Sequence, residues 1–335
     1  MTDVKVKVML SEDPRDFQRR DWGELVGRDP DGTVFHTPEF LKLYWEEFGE
    51  RPGHLLLAFG ETDTGEQIAV AALEVVGDVL RFLGGTEITD YQGPVGVPEV
   101  RGSFATELWA ALLGREDWGE ADLGGLPADS AWLPELRAAA DGHGLKLREE
   151  TDRNGVAPIL ELPPTWEEYL EQLPSKLRHE VRRKAKKLVS EAGPYEIERA
   201  TPDTLDGLLN RFVELHRMSE GPKGVFMVPG MEIFFRRLGE TLCERGVFRL
   251  SFVRVGGELA AGTIGFRFKT TYSLYNSAFD RAWQSLAPGM VLVADVIREA
   301  IDEGCDRFDL LKGDYAYKYR FGARKRLVKR LLVSR

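Results

Sequence analysis

The spacing of apolar and polar positions divides the chain into many short elements, and the second half can be followed one element at a time. YEIERA (195–200) predicts a short strand, and residues 203–218 predict an amphipathic helix with Leu205, Leu208, Leu209, Phe212 and Leu215 on one face. MEIFFRRLGETLCERG (231–246) predicts a second helix that stops on Gly246. VFRLSFVRV alternates with the period of a strand, and Gly256-Gly257 suits a two-residue hairpin turn into ELAAGTIGFRF. TTYSLYNSAFD predicts a third antiparallel strand. WQSLAPGMVLVADVIREAIDEG runs from a loop into a helix, and the strands DRFDLL and RLVKRLLV follow. The order β-α-α-β-β-β-α-β-β describes a mixed sheet with helices on its faces, an α/β (α+β) fold class.

The first half carries an echo of this pattern. GEQIAVAAL (65–73) reads like GGELAAGTI (256–264), and EADLGGLP (120–127) reads like RFDLLKGD (307–314). The two offsets, 191 and 187 positions, nearly agree. A helix-like run precedes each half, TPEFLKLYWEEFG and PDTLDGLLNRFVELH. Two related halves are therefore expected. The boundary lies near 152–166, where GVAPILELPP predicts a strand ended by Pro163 and Pro164. Thr165 then caps a helix, with Glu168 three residues on. A further helix starts at Ser175 and stops at Gly193. The expected division is 1–160, a connecting helical segment 161–194, and 195–335.

Composition excludes several classes. No run approaches 18 consecutive apolar residues, so no membrane-inserted helix is expected. The start, MTDVKVKVMLSEDPRDF, has acids where a signal peptide needs an apolar stretch, which predicts a cytoplasmic protein. Cys243 and Cys305 sit among apolar neighbours and read as packed free thiols. His36, His54, His143, His179 and His216 have no metal-ligand spacing, and no HExxH, CxxC, Walker loop or dinucleotide glycine triplet is present, so no metal is expected.

Charge is unevenly spread. KLRHEVRRKAKK (176–187) holds seven Lys/Arg against Glu180, and residues 312–335 hold nine against Asp314, in a chain of net charge −10. An acidic body with two basic segments points away from DNA and toward a focused site for an anionic ligand. SLAPGMVLVADV (285–296) supplies a second element of such a site. A Pro-Gly turn enters a helix whose first amides lack intrahelical partners, and small side chains let an anion approach them. A third element is FDLLKGDYAYKYRFG (308–322), a strand that passes directly into Lys312, Gly313, Asp314, Tyr315, Tyr317, Lys318, Tyr319 and Arg320.

Together these features resemble the GNAT (Gcn5-related N-acyltransferase) superfamily. LPSKLRHEVRRKAKKL, SAFD, APGMVL, FDLLKGDYAYKYRFG and RFLGGTEITDYQGPV are similar to the CelD-like, cellulose-biosynthesis-associated acetyltransferase group over residues 30–330. Tandem GNAT-like halves also resemble the FemABX group, which transfers amino acids from aminoacyl-tRNA. The resemblance implies two GNAT-like halves with helices on both faces of each sheet, the N-terminal one degenerate. It implies that the loop Ser285, Leu286, Ala287, Pro288, Gly289 and Met290 grips the pyrophosphate of acetyl-CoA or another acyl-CoA. It also implies that the sheet splays between the strand ending near Asp280 and the strand DRFDLL.

Amine acylation then assigns candidates. A base is wanted for the amine, from Asp309 or Asp314, with Asp280 across the cleft. Donors are wanted for the developing oxyanion, from strand amides near Asn276 and Ser277 or from Lys318. A proton donor is wanted for the leaving thiolate, from Tyr317, Tyr315 or Tyr275. Arg182, Arg183 and Lys187 are phosphate candidates, and Asp90 and Tyr91 in TDYQGP are substrate-binding candidates from the first half. A helical turn over 314–320 would set Asp314 and Lys318 on one face. Asp309 and Asp314 also suit turn positions, and the tyrosines also suit packing. The implied function is an acyl-CoA-dependent N-acyltransferase acting on a small-molecule amine or amino sugar. The alternatives are a FemABX-like aminoacyltransferase, in which the basic helix contacts tRNA, and a non-catalytic GNAT-fold partner in polysaccharide biosynthesis.

Overall fold

The alternation in the sequence becomes two mixed sheets, one in each of two units. The computed structural model describes residues 5–19, 21–49, 53–219 and 225–335. One unit comprises Met1–Gly155 with Arg326–Arg335, and the other Val156–Lys325.

In the first unit the strands are β1 (Val6–Ser11), β2 (Gly53–Thr62), β3 (Gln67–Val76), β4 (Val79–Phe82), β5 (Val95–Gly96), β6 (Glu120–Pro127), β7 (Lys146–Val156) and the chain's last strand, β14 (Leu327–Ser334). Their order is β1-β2-β3-β4-β6-β14-β7, with β5 added on β3, and β4 and β6 run parallel. β2 and β3 are buried almost throughout because both faces are covered. Leu56 and Ala58 pack with Phe104, Leu108 and Trp132 of α3 (Arg101–Leu113) and α4 (Trp132–Gly142). Phe59 points the other way and meets Trp22 of α1 (Trp22–Arg28) edge-on at 5.9 Å, on the side where α2 (Pro38–Tyr44) also lies.

The second unit has the order β8-β13-β12-β11-β10-β9, built from β8 (Ile159–Glu161), β9 (Tyr195–Arg199), β10 (Phe248–Val255), β11 (Glu258–Phe268), β12 (Thr271–Phe279) and β13 (Arg307–Asp309). Gly256 and Gly257 both take positive φ, 56° and 85°, which a two-residue hairpin turn requires and which only glycine adopts freely. Helices α5 (Trp166–Gln172), α6 (Ser175–Ala192) and α9 (Pro288–Asp302) share one core with the sheet. On the opposite face α7 (Leu205–Arg217) packs Phe212 on Phe252, and α8 (Pro229–Leu242) packs Phe235 on Tyr275. Thr165 caps α5 through the Glu168 amide at 3.2 Å, and Gly193 closes α6 with φ 87°.

Each unit repeats one connection. Three antiparallel strands are followed by a helix and a parallel strand: β2-β3-β4-α3-β6 in the first, β10-β11-β12-α9-β13 in the second. The echo in the sequence marks these same elements. RLVKRLLV departs from its expected place in the second half. Its alternating residues Val328, Leu331 and Val333 are buried where β14 lies antiparallel on β6 in the first sheet. The free edge of β13 is taken instead by β8, from GVAPILELPP. The second basic segment is divided accordingly, with 312–325 in the second unit and 326–335 in the first.

Asp29 joins several elements of the first unit. Its fully buried carboxylate accepts from Gly96 N at 2.9 Å, Trp132 Nε1 at 2.8 Å and Arg101 Nη2 at 2.6 Å. Asp29→Ala leaves a guanidinium and an indole N–H without their acceptor. It should lower the unfolding free energy by about 3–5 kcal/mol in chemical denaturation. A loss below about 1 kcal/mol would show that the carboxylate is not a structural tie.

Candidate functional site

The parallel pairing of β12 with β13 lasts three residue pairs, from Thr271↔Arg307 to Ser273↔Asp309. β12 continues to Phe279, while the chain after Asp309 leaves the sheet. Leu311 takes a left-handed conformation, φ 58°, and Gly313 follows at 111°. The left-handed region is unfavourable for a branched side chain, so neighbours must impose it. Asp309 Oδ1 accepts from Leu311 N at 2.7 Å on one side of the kink. On the other, Lys318 Nζ donates to the carbonyls of Leu311 at 2.8 Å and Lys312 at 2.9 Å. After Ser273↔Asp309 the two segments part, with Tyr275–Phe279 on one side and residues 310–317 on the other, which defines the candidate cleft.

A bulge shapes the β12 side. The register with β11 shifts between Ile264 and Gly265, so that Asn276 pairs with Ile264 and Leu274 with Gly265. Asn276 Oδ1 accepts from Ser277 N at 2.9 Å and lies 3.1 Å from Nε2 of the buried His216. Since that oxygen already accepts the amide proton, the imidazole Nε2 is its second donor. The Tyr317 hydroxyl hydrogen-bonds the Ser277 side chain, spanning the cleft. Burial pushes the Tyr317 phenol up to about 12, partly offset by that bond, so it stays protonated at neutral pH.

At the far end of β12, Asp280 caps a short 3-10 helix through Ala282 N at 3.0 Å and pairs with Arg211 at 3.0 Å. The chain then passes through Ala287, left-handed at φ 51°, into α9. No side chain caps this helix. A Cβ built on Gly289 meets nothing within 4 Å, so space is open at the first turn. Leu286 and Pro288 point into the core and Met290 packs against it, which leaves backbone and small side chains at the surface. α6 lies alongside, and Lys187 Nζ donates to the Ser285 carbonyl at 3.0 Å. Its Glu180 also pairs with Arg320 at 3.4 Å, bringing the two basic segments together within this unit. Arg182 and Arg183 are exposed on α6 and make no ion pair among the described residues.

Other candidates have different surroundings from those expected. The helical turn begins at Lys318 (Lys318–Phe321), not at Asp314. Asp314 pairs with Lys325 at 2.8 Å and accepts the Tyr319 hydroxyl, which hold its carboxyl below the usual range. The expected shared face of Asp314 and Lys318 is thus replaced by two separate partnerships, because the chain turns over 315–318, with the Lys318 amide donating to the Tyr315 carbonyl at 3.0 Å, and the buried ammonium goes to backbone carbonyls. Tyr275 packs its ring on Phe235 and Phe266, and Tyr315 is exposed beside Tyr317. In the first unit Tyr91 is buried under the Arg326 guanidinium, 5.2 Å from the ring centroid, with the half-buried Asp90 beside it in sequence.

Residues 175–319 match the family model described as the acetyltransferase (GNAT) domain. The GNAT match covers α6 through the Lys318 turn, which are the elements that build the cleft. A search of curated proteins finds no match. Among solved structures, one described as FemX is similar at TM-score 0.69 and 11% identity, covering 97% of this chain and 96% of its own. The C-terminal domain of a putative lysylphosphatidylglycerol synthetase from Agrobacterium fabrum is similar at TM-score 0.60 and 13% identity, covering 96% of this chain and 92% of its own. A Bacillus licheniformis structure described as L-PGS is similar at TM-score 0.57 and 13% identity, over 97% and 92%. At such identities the likeness establishes the fold alone, two mixed α/β halves in tandem, with helices on both faces of each sheet. Among the described residues no helix is long and apolar enough to cross a membrane, and no His, Cys, Asp and Glu cluster is arranged to hold a metal ion.

The His216–Asn276 contact was not anticipated from the sequence. A signal was present, because His216 continues the apolar face of α7 one turn after Phe212.

Lys318 is 3% exposed and its ammonium holds the kink, so its replacement should register in stability. Lys318→Met leaves two carbonyls without their donor and should cost about 2–4 kcal/mol, lowering Tm by roughly 5–10 °C. An unchanged Tm would remove Lys318 from the support of the kink.

Proposed function

We propose that the second unit is an acyltransferase that moves an acyl group from acyl-CoA, most simply acetyl-CoA, to the amine of a small molecule or amino sugar. The observation that carries this reading is the first turn of α9. It is uncapped and open at Gly289, and it has the cations of α6 beside it. A helix N-terminus of this kind suits phosphate, through its orphan amides and the positive end of its dipole. The residues of the loop fit a diphosphate: no side chain fills the approach, and Lys187 stands next to Ser285. The thioester supplies an activated carbonyl. Tyr317, kept protonated by burial, is assigned as the proton donor to the leaving thiolate, and the proton that the attacking amine loses on forming the amide restores the phenol. The strand edge at Asn276 and Ser277 is assigned to orient the carbonyl. Asp314, held below the usual range, is a weak base at neutral pH and is assigned to hold the incoming amine; Asp309 is assigned to the kink and Asp280 to the 3-10 cap.

A second reading, transfer from aminoacyl-tRNA, is favoured by one observation: Arg182 and Arg183 are exposed and unpaired among the described residues on a helix rich in cations. Phosphate contacts of that kind are strongly salt-dependent.

Binding measurements separate the two. Acetyl-CoA should bind the wild-type protein, and Gly289→Glu should weaken it at least tenfold at unchanged Tm, because the added side chain enters open space and repels phosphate. Arg182→Ala with Arg183→Ala should alter CoA affinity little. Failure of acetyl-CoA to bind, with tRNA binding that is lost in the double arginine variant, would overturn the acyl-CoA reading in favour of the second.

A further inference from the structure

The first unit contains the counterpart of the cleft, where β4 and β6 stay parallel for three pairs from Val79↔Glu120 to Arg81↔Asp122 and then part. The corresponding helix start is closed. A Cβ on Gly102 of α3 would lie 2.9 Å from Oε2 of Glu135, so a carboxylate stands where an anion would approach. Beyond the parting strands, however, lies a cavity of about 460 Å³, large enough for a molecule the size of a monosaccharide. Glu74 of β3 lines it. Its side chain belongs to a residue only 7% exposed, and it has no hydrogen-bond or ion-pair partner among the described residues. A buried carboxylate without a partner is costly unless a ligand supplies one.

We propose that this cavity binds a small molecule bearing a protonated amine, with the Glu74 carboxylate as its counter-ion. The other walls are suited to such a guest. Tyr44 and Phe48, rings 5.6 Å apart, offer an aromatic surface of the kind that attracts cations. Arg330, paired with Asp122 at 2.7 Å, has a buried Nε without an acceptor, so a carboxylate or hydroxyl of the guest finds a donor there; Gln92, whose amide N–H groups go to the Phe82 and Leu83 carbonyls, has only its oxygen to offer as an acceptor. The charged and titratable groups around Glu74 are Tyr44 from α2, Arg81 from β4, Asp122 from β6, Asp152 and Arg153 from β7, and Arg330 from β14. Arg81 lies opposite Glu74 across the β3–β4 pair but is exposed, so water screens it. Burial pushes Glu74 up to about 7, with Arg81 drawing it down in part. The site uses no residue of the second unit and stands whether or not the acyl-CoA reading does.

Calorimetry on the whole protein tests it with ethanolamine, putrescine and glucamine against ethylene glycol, 1,4-butanediol and sorbitol, which lack the amine. An amine should bind at least tenfold tighter than its counterpart. Binding should also be about tenfold tighter at pH 8 than at pH 6, because a group titrating near 7 is mostly protonated at the lower pH and mostly ionised at the higher. Glu74→Gln should abolish the preference for amines. The raised pKa means that the stability gained from the protonated carboxyl is full below about 4.5 and lost as pH rises through about 7. Glu74→Gln should therefore raise Tm relative to wild type at pH 8 and leave it unchanged at pH 4, which also shows that the variant folds. Amines that bind no tighter than their counterparts, or a preference that survives in Glu74→Gln, would overturn the proposal.

Discussion

The second unit depends on a single backbone turn. If the chain left β13 in an extended conformation, β13 would go on pairing with β12 toward Phe279 and the sheet would close. Leu311 prevents this by adopting a left-handed conformation that costs about 1–2 kcal/mol for a non-glycine residue. The cost is met locally, with Asp309 holding the amide of Leu311 and Lys318 holding its carbonyl. Tyr169 steadies the far end, its hydroxyl donating to the Phe321 carbonyl at 2.7 Å, so that α5 anchors the turn that carries Lys318. Residues first considered for chemistry, Asp309 and Lys318, are thus the ones that hold the opening.

The two units show what the same connection becomes under different side chains. In the second, a glycine at the start of the crossover helix leaves space at an uncapped end, and a basic helix lies alongside. In the first, the helix start carries a carboxylate against Gly102, while the gap between the parted strands holds a cavity with a buried acid. The fold fixes where an opening occurs in each unit. A handful of side chains then sets the two openings apart, Gly289 and Lys187 in one, Glu135 and Glu74 in the other.

Much of this was legible in the sequence. Period-two and period-3.6 patterns locate β9 through β13 and α7 through α9, and the echo between GEQIAVAAL and GGELAAGTI marks the duplicated core. Gly256-Gly257 and Thr165 carry unambiguous local chemistry. What was not legible is long-range pairing. Nothing in RLVKRLLV says which of two sheets it joins, because alternation specifies a buried face and not a partner. The same holds for Lys318. A lysine in a polar stretch reads as exposed, and its burial depends on carbonyls that turn toward it only once the chain has kinked at Leu311. His216 was missed for a related reason, since its partner Asn276 comes from another element.

The central claim is that the acyl donor is gripped at the start of α9 and reaches into the gap that the Leu311 kink opens. Amide chemical shifts measured while CoA is added to the isotope-labelled protein test it most directly. The largest saturable changes are expected at Gly289 and Met290, with a second group at Asn276 and Ser277. Saturable binding that moves amides elsewhere and leaves these four unchanged would contradict the account.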